Sequence, residues 1–256
     1  MKSGFTLAWS FRNRKEILTE SIQSADRTCP KHVDFCLIDA ASDEDTIRHI
    51  REVCSNIKDR RIRICESSYR SSLAEAWNLG MMLTENRFVV FASSDVIFQK
   101  EGWLDMIVGG LSTHQYVLME NHAVFCLDKK AIPKMGWFDE NFKSGPHFDP
   151  DLMIRASENG VEHINVWNEG FYIHGDEGDE KVAKERTQGE VADRLPMHDF
   201  HNEDYFKRKW SSQWSGWRDA IARGEANLPH PPTHISQVSR LSTEEDPHPI
   251  YTRKYK

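Results

Sequence analysis

The sequence lacks the patterns that mark disulfide-bonded, redox-active and membrane-spanning proteins. None of its five cysteines forms a Cys-x-x-Cys pair, and their odd number leaves one without a disulfide partner. Cys36 and Cys65 lie inside apolar, strand-like runs, which is typical of buried free thiols in a reducing compartment. No apolar run approaches the ~20 residues that cross a bilayer, and the first residues show no charged-then-apolar secretory pattern. We therefore expect a cytoplasmic protein without a membrane span.

Three common signatures of catalytic or nucleotide sites are also absent. The chain contains neither Gly-x-Gly-x-x-Gly nor Gly-x-x-x-x-Gly-Lys-Ser/Thr, so dinucleotide-binding and P-loop folds lack their signature. No Gly-x-Ser-x-Gly supports an α/β-hydrolase. The formal net charge is −7, whereas a general nucleic-acid binder usually carries a basic excess. Small anionic ligands bound through a metal ion are a more natural expectation than duplex nucleic acid.

Strand and helix signals alternate through the first half of the chain. The apolar, β-prone runs predict strands over residues 5–11, 33–39, 61–65 and 87–92. Helix starts are predicted between them, with Asn13 as an N-cap, Ser42 and Asp45 as a capping box, and Ser72 and Glu75 as a clearer one. This alternation predicts an α/β fold with a mostly parallel central sheet covered on both faces.

Two acidic residues fall where such a sheet binds ligands, beyond the carboxyl ends of its strands. Asp39 ends the second strand, and Asp95 follows the fourth in Ser93-Ser94-Asp95. Asp39 could bond a nucleobase or ribose. Asp95 could bind a divalent ion that bridges a diphosphate, because Mg²⁺ and Mn²⁺ favour oxygen ligands. Asp95 could instead be an ordinary loop or cap residue.

The second half of the chain adds candidates for acid–base and metal chemistry. Strands are predicted within 116–127 and over 161–167, and a helix over 149–159. Asp149 and Asp151 near that helix start could include a general base. Alternatively, both acids stabilise the start of the helix through their interaction with its dipole, and Asp151 pairs with Arg155 at i+4. His174, at a strand end, could bind a metal or a phosphate, and His147 competes for that role.

The order of these motifs resembles glycosyltransferase family 2 enzymes with the GT-A fold, which is Rossmann-like and binds nucleotide sugars. The resemblance covers roughly residues 5–175. The chain departs from the family pattern at four positions, with Ser72 for its usual Gly, Trp77 for Arg, Ser93 for the first acid of the Asp-x-Asp metal motif and Phe148 for Glu. The matching segments are Asn13-Arg14, 37–43 (Leu-Ile-Asp-Ala-Ala-Ser-Asp), 72–80 (Ser-Leu-Ala-Glu-Ala-Trp-Asn-Leu-Gly), 93–95, 136–142 (Gly-Trp-Phe-Asp-Glu-Asn-Phe), 148–155 and His174.

The resemblance implies inverting transfer of a hexose or pentose from a nucleoside-diphosphate sugar to an acceptor hydroxyl. Asp149 would be the general base, with Asp151 as the second choice. Asp95 and His174 would hold Mn²⁺ or Mg²⁺. Because Ser93 replaces an acid, a hydroxyl or water would take its place, or the metal would matter less. The residues implied in binding the donor are Ser10, Arg12, Asn13, Asp39, Ser72, Asn78, Ser93, Ser94 and Asp95.

The predicted division of the chain is a GT-A catalytic domain over residues 1–180 and a helical extension with a polar tail over 181–256. Trp210, Trp214 and Trp217 share one helix face, which we expect to pack on the catalytic domain rather than stack on sugar. The oligomeric state and the role of residues 225–256 stay open.

The acceptor also stays open among a glycan, a lipid-linked sugar, a protein side chain and a hydroxylated base in DNA. Some viral glycosyltransferases use the last of these, and the cytoplasm would then be that of a virus-infected host cell. Two alternatives to glycosyl transfer remain, a non-catalytic module that binds sugar nucleotides and a nucleotidyltransferase.

Overall fold

The computed structural model describes residues 2–67, 71–119, 122–142, 148–167 and 169–174, together with Asn202, Tyr205, Phe206, Lys209 and Trp210. Strands and helices alternate from residue 2 to residue 92, as predicted for the first half of the chain. In chain order the elements are β1 (Lys2–Phe11), α1 (Lys15–Thr28), β2 (Asp34–Asp39), α2 (Glu44–Asn56), β3 (Ile62–Glu66), α3 (Leu73–Leu83), β4 (Asn86–Ala92), β5 (Val96–Phe98), α4 (Trp103–Leu111), β6 (Tyr116–Met119), β7 (Val124–Asp128), a 3₁₀ turn (Lys129–Ala131), α5 (Ile132–Met135), α6 (Phe148–Glu158), β8 (His163–Val166) and β9 (Tyr172–His174).

A mixed sheet with the strand order β3-β2-β1-β4-β7-β6-β8 forms the centre of the described residues. β3, β2, β1 and β4 pair in parallel, and β6 pairs in parallel with β8. β7 is antiparallel to both β4 and β6. Two reversals restore the original direction, so β6 and β8 run the same way as β1 to β4. The prediction of a mostly parallel central sheet is therefore confirmed.

The central strands are buried on both faces because helices cover the sheet on both sides. Along β1, Leu7 and Trp9 point to the side of α1, α2 and α4, whereas Ala8 points to the side of α3, α5 and α6. This alternation follows from the two-residue period of a strand. All three residues are fully buried, which is typical of parallel strands with helices on both faces.

Two of the three predicted helix starts are wrong in detail, and the third is confirmed. Ser72 and Glu75 form both halves of a capping box at the start of α3. α1 begins after Arg14, with no side-chain cap, because the Asn13 side chain bonds elsewhere. At α2 the cap is Asp43, whose Oδ1 accepts the Thr46 N–H at 2.7 Å, and not Ser42.

Residues from the C-terminal part of the chain pack into the core. Phe206 and Trp210 belong to the same apolar cluster as α3, α5 and α6, and Trp210 is fully buried. The expectation that Trp210 packs rather than stacks on sugar is thus confirmed. Trp214, Trp217, His147 and the polar tail lie outside the described residues, and the division at residue 180 stays a prediction.

The five cysteines lie in the environment that the sequence indicates. All five cysteines are buried free thiols, as the apolar runs around Cys36 and Cys65 indicate. Across the helices of the described residues, none combines the length and apolar character that crossing a bilayer requires.

Candidate active site at the carboxyl edge of the sheet

The two acids predicted at the ligand-binding edge lie there. Asp39 is the last residue of β2, and Asp95 follows β4 within a tight turn. Both carboxylates are nearly inaccessible, with 2% and 4% of their surface exposed. Ser10, in register with Ile38, and Arg12 are half-buried at the end of β1 beside them. Parallel strands bring these positions together because their carboxyl ends meet at one edge.

The loops after β1 and β2 are bound to each other through Asn13. Its backbone N–H donates to Ser42 Oγ at 2.7 Å, and its side-chain oxygen accepts the Asp43 N–H at 3.0 Å. Asn13 and Arg14 both have left-handed backbone angles, with φ of 55° and 57°, which is uncommon for residues other than glycine. Asn13 therefore tethers the two loops to each other, and its donor contact stays a prediction.

Asp39 has its carboxylate oriented by the same loop. The Ser42 N–H donates to Asp39 Oδ1 at 2.9 Å. Burial raises the pKa of Asp39, and hydrogen bonds from Ser42 and Ala41 oppose this effect only in part. The result is a preorganised acceptor at the end of β2, suited to hydroxyl or N–H groups of a ligand.

Asp95 is held in a turn that joins β4 to β5. The Ser93 carbonyl accepts the Val96 N–H at 3.1 Å, and the Ser93 N–H donates to the Ala123 carbonyl at 2.8 Å. Pairing of β5 with β9 places Val96 opposite His174. As a consequence, His174 Nε2 lies 3.3 Å from Asp95 Oδ1. The structure thus brings together the two residues predicted to hold a metal.

The residues around Asp95 fit a divalent cation only in part. Asp95 and His174 supply one oxygen and one nitrogen, and no group of three or more His, Cys, Asp or Glu side chains converges within the described ranges. Mn²⁺ or Mg²⁺ there would take further ligands from water and phosphate, as these ions commonly do. Arg14 Nη1 lies 3.8 Å from Asp95 Oδ2, so a fixed positive charge already faces the other carboxylate oxygen.

Asp149 lies in the first turn of α6 and remains accessible, with 27% of its side chain exposed. His122, in the turn between β6 and β7, approaches it with Nδ1 3.5 Å from Asp149 Oδ2. The Tyr116 hydroxyl bonds His122 Nε2. His122 was not predicted from the sequence, because it belongs to no motif and meets Asp149 only through packing of the turn against α6.

Asp151 is fully buried and bonded on both oxygens. Its Oδ2 accepts Arg155 Nε at 2.9 Å, and its Oδ1 accepts Lys209 Nζ at 2.6 Å and Trp210 Nε1 at 2.9 Å. The predicted i+4 pair with Arg155 is confirmed. This geometry differs from the second-choice base predicted from the sequence, because an inaccessible carboxylate in an ion pair has no path to an acceptor hydroxyl.

Asp139 shares the Lys209 ammonium group with Asp151. Lys209 Nζ lies 2.7 Å from Asp139 Oδ2, which also accepts the Tyr205 hydroxyl at 2.8 Å. Burial alone would raise the pKa of Asp139, but Lys209, the backbone N–H of Asn141 and Arg155 outweigh it and hold the pKa at about 2. Both acidic motifs are thereby joined to Lys209 and its described neighbours Tyr205 and Trp210.

Asn78 and Ser72 have structural partners within the protein, and their donor contacts stay a prediction. The buried Asn78 amide donates to the Phe138 carbonyl and Glu140 Oε1, both at 2.9 Å, and accepts the Phe138 N–H at 2.9 Å. Ser72 caps α3. Neighbouring Trp77 packs among four aromatic rings whose centroids lie 4.8–5.3 Å from its own, those of Phe91, Phe125, Phe138 and Phe148.

A known sequence family matches the part of the chain that forms most of the sheet. The sequence pattern of glycosyl transferase family 2 matches residues 9–160, which is more than half of the 256 residues. The chain belongs to glycosyl transferase family 2. No protein among the curated ones matches the sequence.

Solved structures of glycosyltransferases share the fold at low sequence identity. The mannosyltransferase PcManGT from Pyrobaculum calidifontis, in complex with GDP-Man and Mn²⁺, is 13% identical with a TM-score of 0.59, over 99% of this chain and 84% of that one. S. aureus TarS 1–349 in complex with UDP-GlcNAc is 14% identical with a TM-score of 0.56, over 72% of this chain and 61% of that one.

The same comparison with the longer TarS chain of S. aureus gives 15% identity and a TM-score of 0.55. It covers 67% of this chain and 36% of the TarS chain, so this family 2 member spans about a third of that protein. At these identities the likeness establishes a GT-A type of fold, which agrees with the fold expected from the motif order.

Proposed function

We propose that this family 2 member transfers a sugar from a nucleoside-diphosphate donor to an acceptor hydroxyl with inversion, using Asp149 as the general base. The observation that carries the proposal is a short path of contacts between the accessible Asp149 carboxylate and the Asp95–His174 pair, in which Asp95 is buried and His174 is 28% exposed. His122 contacts Asp149, and the next residue, Ala123, bonds Ser93 of the Asp95 turn. A proton acceptor and a cation-binding or phosphate-binding turn are thus two contacts apart.

In the proposed reaction, an Asp149 oxygen takes the proton of the acceptor hydroxyl. The acceptor oxygen then forms a bond to the anomeric carbon as the bond from that carbon to the diphosphate breaks on the opposite face. The nucleoside diphosphate leaves with the electron pair of that bond. Arg14 is placed to offset the charge on the leaving group. A divalent cation on Asp95 and His174 would supply further charge stabilisation.

The proposed donor site lies along the ends of β1, β2 and β4. Asp39 would accept a hydrogen bond from the nucleobase or ribose, with Ser10 and Arg12 beside it, and Ser93 and Ser94 would face the phosphates. We propose that Asn13, Ser72 and Asn78 act indirectly, because their polar groups hold the loops and α3 in place.

The donor and the cation are proposed by class. The fold neighbours were solved with GDP-Man and Mn²⁺ and with UDP-GlcNAc, so GDP-mannose and UDP-GlcNAc are the first donors to test. A glycan, a lipid-linked sugar and a hydroxylated DNA base remain the proposed acceptor classes. The five buried free thiols support the proposed placement in a reducing compartment such as the cytoplasm.

The test combines donor binding with turnover in a matched pair of variants. Thermal shifts with a panel of nucleotide sugars, with and without Mn²⁺, identify the donor, and release of nucleoside diphosphate measures its hydrolysis or transfer. Asp149→Asn should keep the donor-induced shift and lose at least about 100-fold in turnover, because a general base contributes about that much. Glu158→Gln, an exposed acid at the end of the same helix, should behave like wild type.

Two results would contradict the proposed function. Donor binding by the wild-type protein without turnover towards water or any acceptor class would favour a non-catalytic sugar-nucleotide module. Equal turnover in Asp149→Asn and wild type would remove Asp149 from the mechanism.

A further inference from the structure

A chain of contacts leads from the core of the protein to the carboxylate of Asp149. The Tyr116 hydroxyl bonds His122 Nε2, and His122 Nδ1 lies 3.5 Å from Asp149 Oδ2. Tyr116 is fully buried, the His122 side chain is 13% exposed, and that of Asp149 is 27% exposed. The contacts therefore run from the least accessible group to the one that faces solvent.

Tyr116 and His122 are both held in their neutral forms. Burial, with a smaller contribution from His163, lowers the pKa of His122 to about 3. Burial also raises the pKa of Tyr116 well above its ordinary value, with the charge of Asp149 acting in the same direction and Arg155 opposing it. His122 is consequently unsuited to take a proton at neutral pH, and it is not itself the base.

The neighbours of His122 determine which ring nitrogen carries the hydrogen. A neutral imidazole has one N–H donor and one bare acceptor nitrogen, and an ionised carboxylate can only accept. Nδ1, which faces Asp149, must therefore carry the hydrogen. Nε2 is then the acceptor, and the Tyr116 hydroxyl donates to it. This assignment is inferred from the groups nearest to the two ring nitrogens, as tautomers in proteins generally are.

We propose that His122 is a positioning residue that holds the Asp149 carboxylate through its Nδ1–H, and that Tyr116 fixes the tautomer that makes this possible. The proposal rests on the proposed function, in which Asp149 removes the acceptor proton. The separation of 3.5 Å is long, as catalytic contacts often are before substrate binds. Anchoring Oδ2 restricts rotation of the carboxylate and so orients it for proton transfer.

The position of His122 adds a second consequence. Its neighbour Ala123 accepts the Ser93 N–H at 2.8 Å, so one short turn contacts both the base and the loop that carries Asp95. Movement of this turn would alter the two halves of the site together.

The first measurement needs no substrate. Long-range ¹⁵N–¹H spectra of the uniformly labelled full chain report the protonation of each imidazole nitrogen. We expect His122 to show a protonated Nδ1 and a bare Nε2 between about pH 5.5 and pH 8.5. In Tyr116→Phe the share of the Nε2-protonated form should rise, because the donor to Nε2 is gone. A wild-type His122 protonated on Nε2 would overturn the proposal.

The second measurement is turnover of UDP-GlcNAc and GDP-mannose, followed as release of the nucleoside diphosphate. His122→Leu removes the Nδ1–H, and we expect kcat to fall between about 10-fold and 100-fold with the donor KM little changed. His122→Asn keeps an N–H near the Nδ1 position and should recover most of the loss. The acid limb of the pH profile should move to higher pH in His122→Leu, because the carboxylate loses a donor while His163, Arg155 and Tyr116 remain.

The variants separate this proposal from the proposed function. His32→Leu, at an exposed histidine, is the matched control for the loss of an imidazole. Loss of turnover in Asp149→Asn together with normal kcat and pH profile in His122→Leu would overturn the positioning role and leave the function standing. If no nucleotide sugar that binds the protein is turned over, or if Asp149→Asn stays active, the proposed function fails, and the tautomer of His122 alone then decides whether His122 contacts Asp149 as proposed. Should His122→Leu not fold, His122→Asn and Tyr116→Phe carry the kinetic test.

Discussion

At the scale of single residues, Asp95 has a positive charge near one oxygen and an imidazole near the other. Arg14 Nη1 lies 3.8 Å from Oδ2, and His174 Nε2 lies 3.3 Å from Oδ1. A cation held by both residues must separate His174 Nε2 from Asp95 Oδ1 and lie between them. It must also bind close to the positive charge of Arg14. We therefore expect Mn²⁺ to bind weakly to the protein alone and more strongly once a diphosphate supplies additional oxygens.

The corresponding prediction concerns how strongly donor binding depends on the metal. In the wild-type protein, Mn²⁺ should increase the thermal shift caused by GDP-mannose or UDP-GlcNAc, relative to the shift in EDTA. Asp95→Asn should weaken the apparent Mn²⁺ affinity at least about tenfold. Loss of a residue that only hydrogen-bonds to a metal ligand already lowers metal affinity about tenfold or more. Asp105→Asn, an exposed acid on α4, should retain the full effect. A Mn²⁺ response that survives in Asp95→Asn would place the cation elsewhere.

Single residues also show where sequence-based prediction stops. Asp39 and Asp95 could be placed because the ligand edge of a parallel sheet follows from strand direction alone. The contact of His122 with Asp149 could not be predicted in this way, because it depends on how the β6–β7 turn packs on α6. No spacing in the sequence encodes that packing.

At the scale of elements, α3 is attached to the segment after α5 by one buried amide. Asn78 makes three hydrogen bonds to Phe138 and Glu140 and is fully buried. Asn78→Ala would leave the Phe138 N–H and carbonyl buried without that partner. Since each such group costs about 1–3 kcal/mol, we expect a loss of about 2–4 kcal/mol in the free energy of unfolding, measured with urea.

The control for this prediction is Asn56→Ala at the exposed end of α2, which should change stability by less than about 0.5 kcal/mol. If Asn78→Ala were no more destabilised than Asn56→Ala, the hydrogen bonds of Asn78 would make no net contribution to stability. We also expect Asn78→Ala to weaken donor binding only in proportion to the unfolded fraction, because Asn78 acts through the scaffold.

The helix starts show why some elements were predicted well and others poorly. The Ser72–Glu75 capping box lies within four consecutive residues, so local sequence determines it. Asn13 fails as an N-cap because its amide oxygen and its backbone N–H are used by the loop after β2, 29 and 30 residues away. A tertiary contact of that kind overrides a local preference that is worth only about 1 kcal/mol.

At the scale of the whole molecule, the strand order and the buried position of Lys209 could not be predicted from the sequence. Alternation predicts parallel pairing, but the insertion of antiparallel β7 between β4 and β6 is set by global packing. Lys209 likewise has an ordinary sequence environment, yet it is buried between Asp139 and Asp151. The acidic motifs were visible in the sequence, and their shared cation, about 60–70 residues further along, was not.

The last prediction tests whether Lys209 joins the C-terminal segment to the catalytic core. Lys209→Met keeps the length of the side chain and removes its charge, which leaves Asp139 and Asp151 buried with one cation fewer. Breaking a buried ion pair from one side costs about 3–5 kcal/mol, and we expect a loss of that size in urea unfolding at neutral pH. Lys58→Met, at an exposed lysine after α2, should lie within about 0.5 kcal/mol of wild type.

The pH dependence of this loss has a definite sign. In the wild-type protein the pKa of Asp139 is about 2, below its ordinary value of 3.8, so its contribution to stability is present above about pH 4 and disappears as the pH falls towards 2. Without Lys209, burial raises that pKa, and the charged carboxylate then destabilises the folded state at neutral pH. Protonation relieves this penalty, so the difference in unfolding free energy between Lys209→Met and wild type should narrow as the pH falls below neutral, and a difference independent of pH would contradict the assignment.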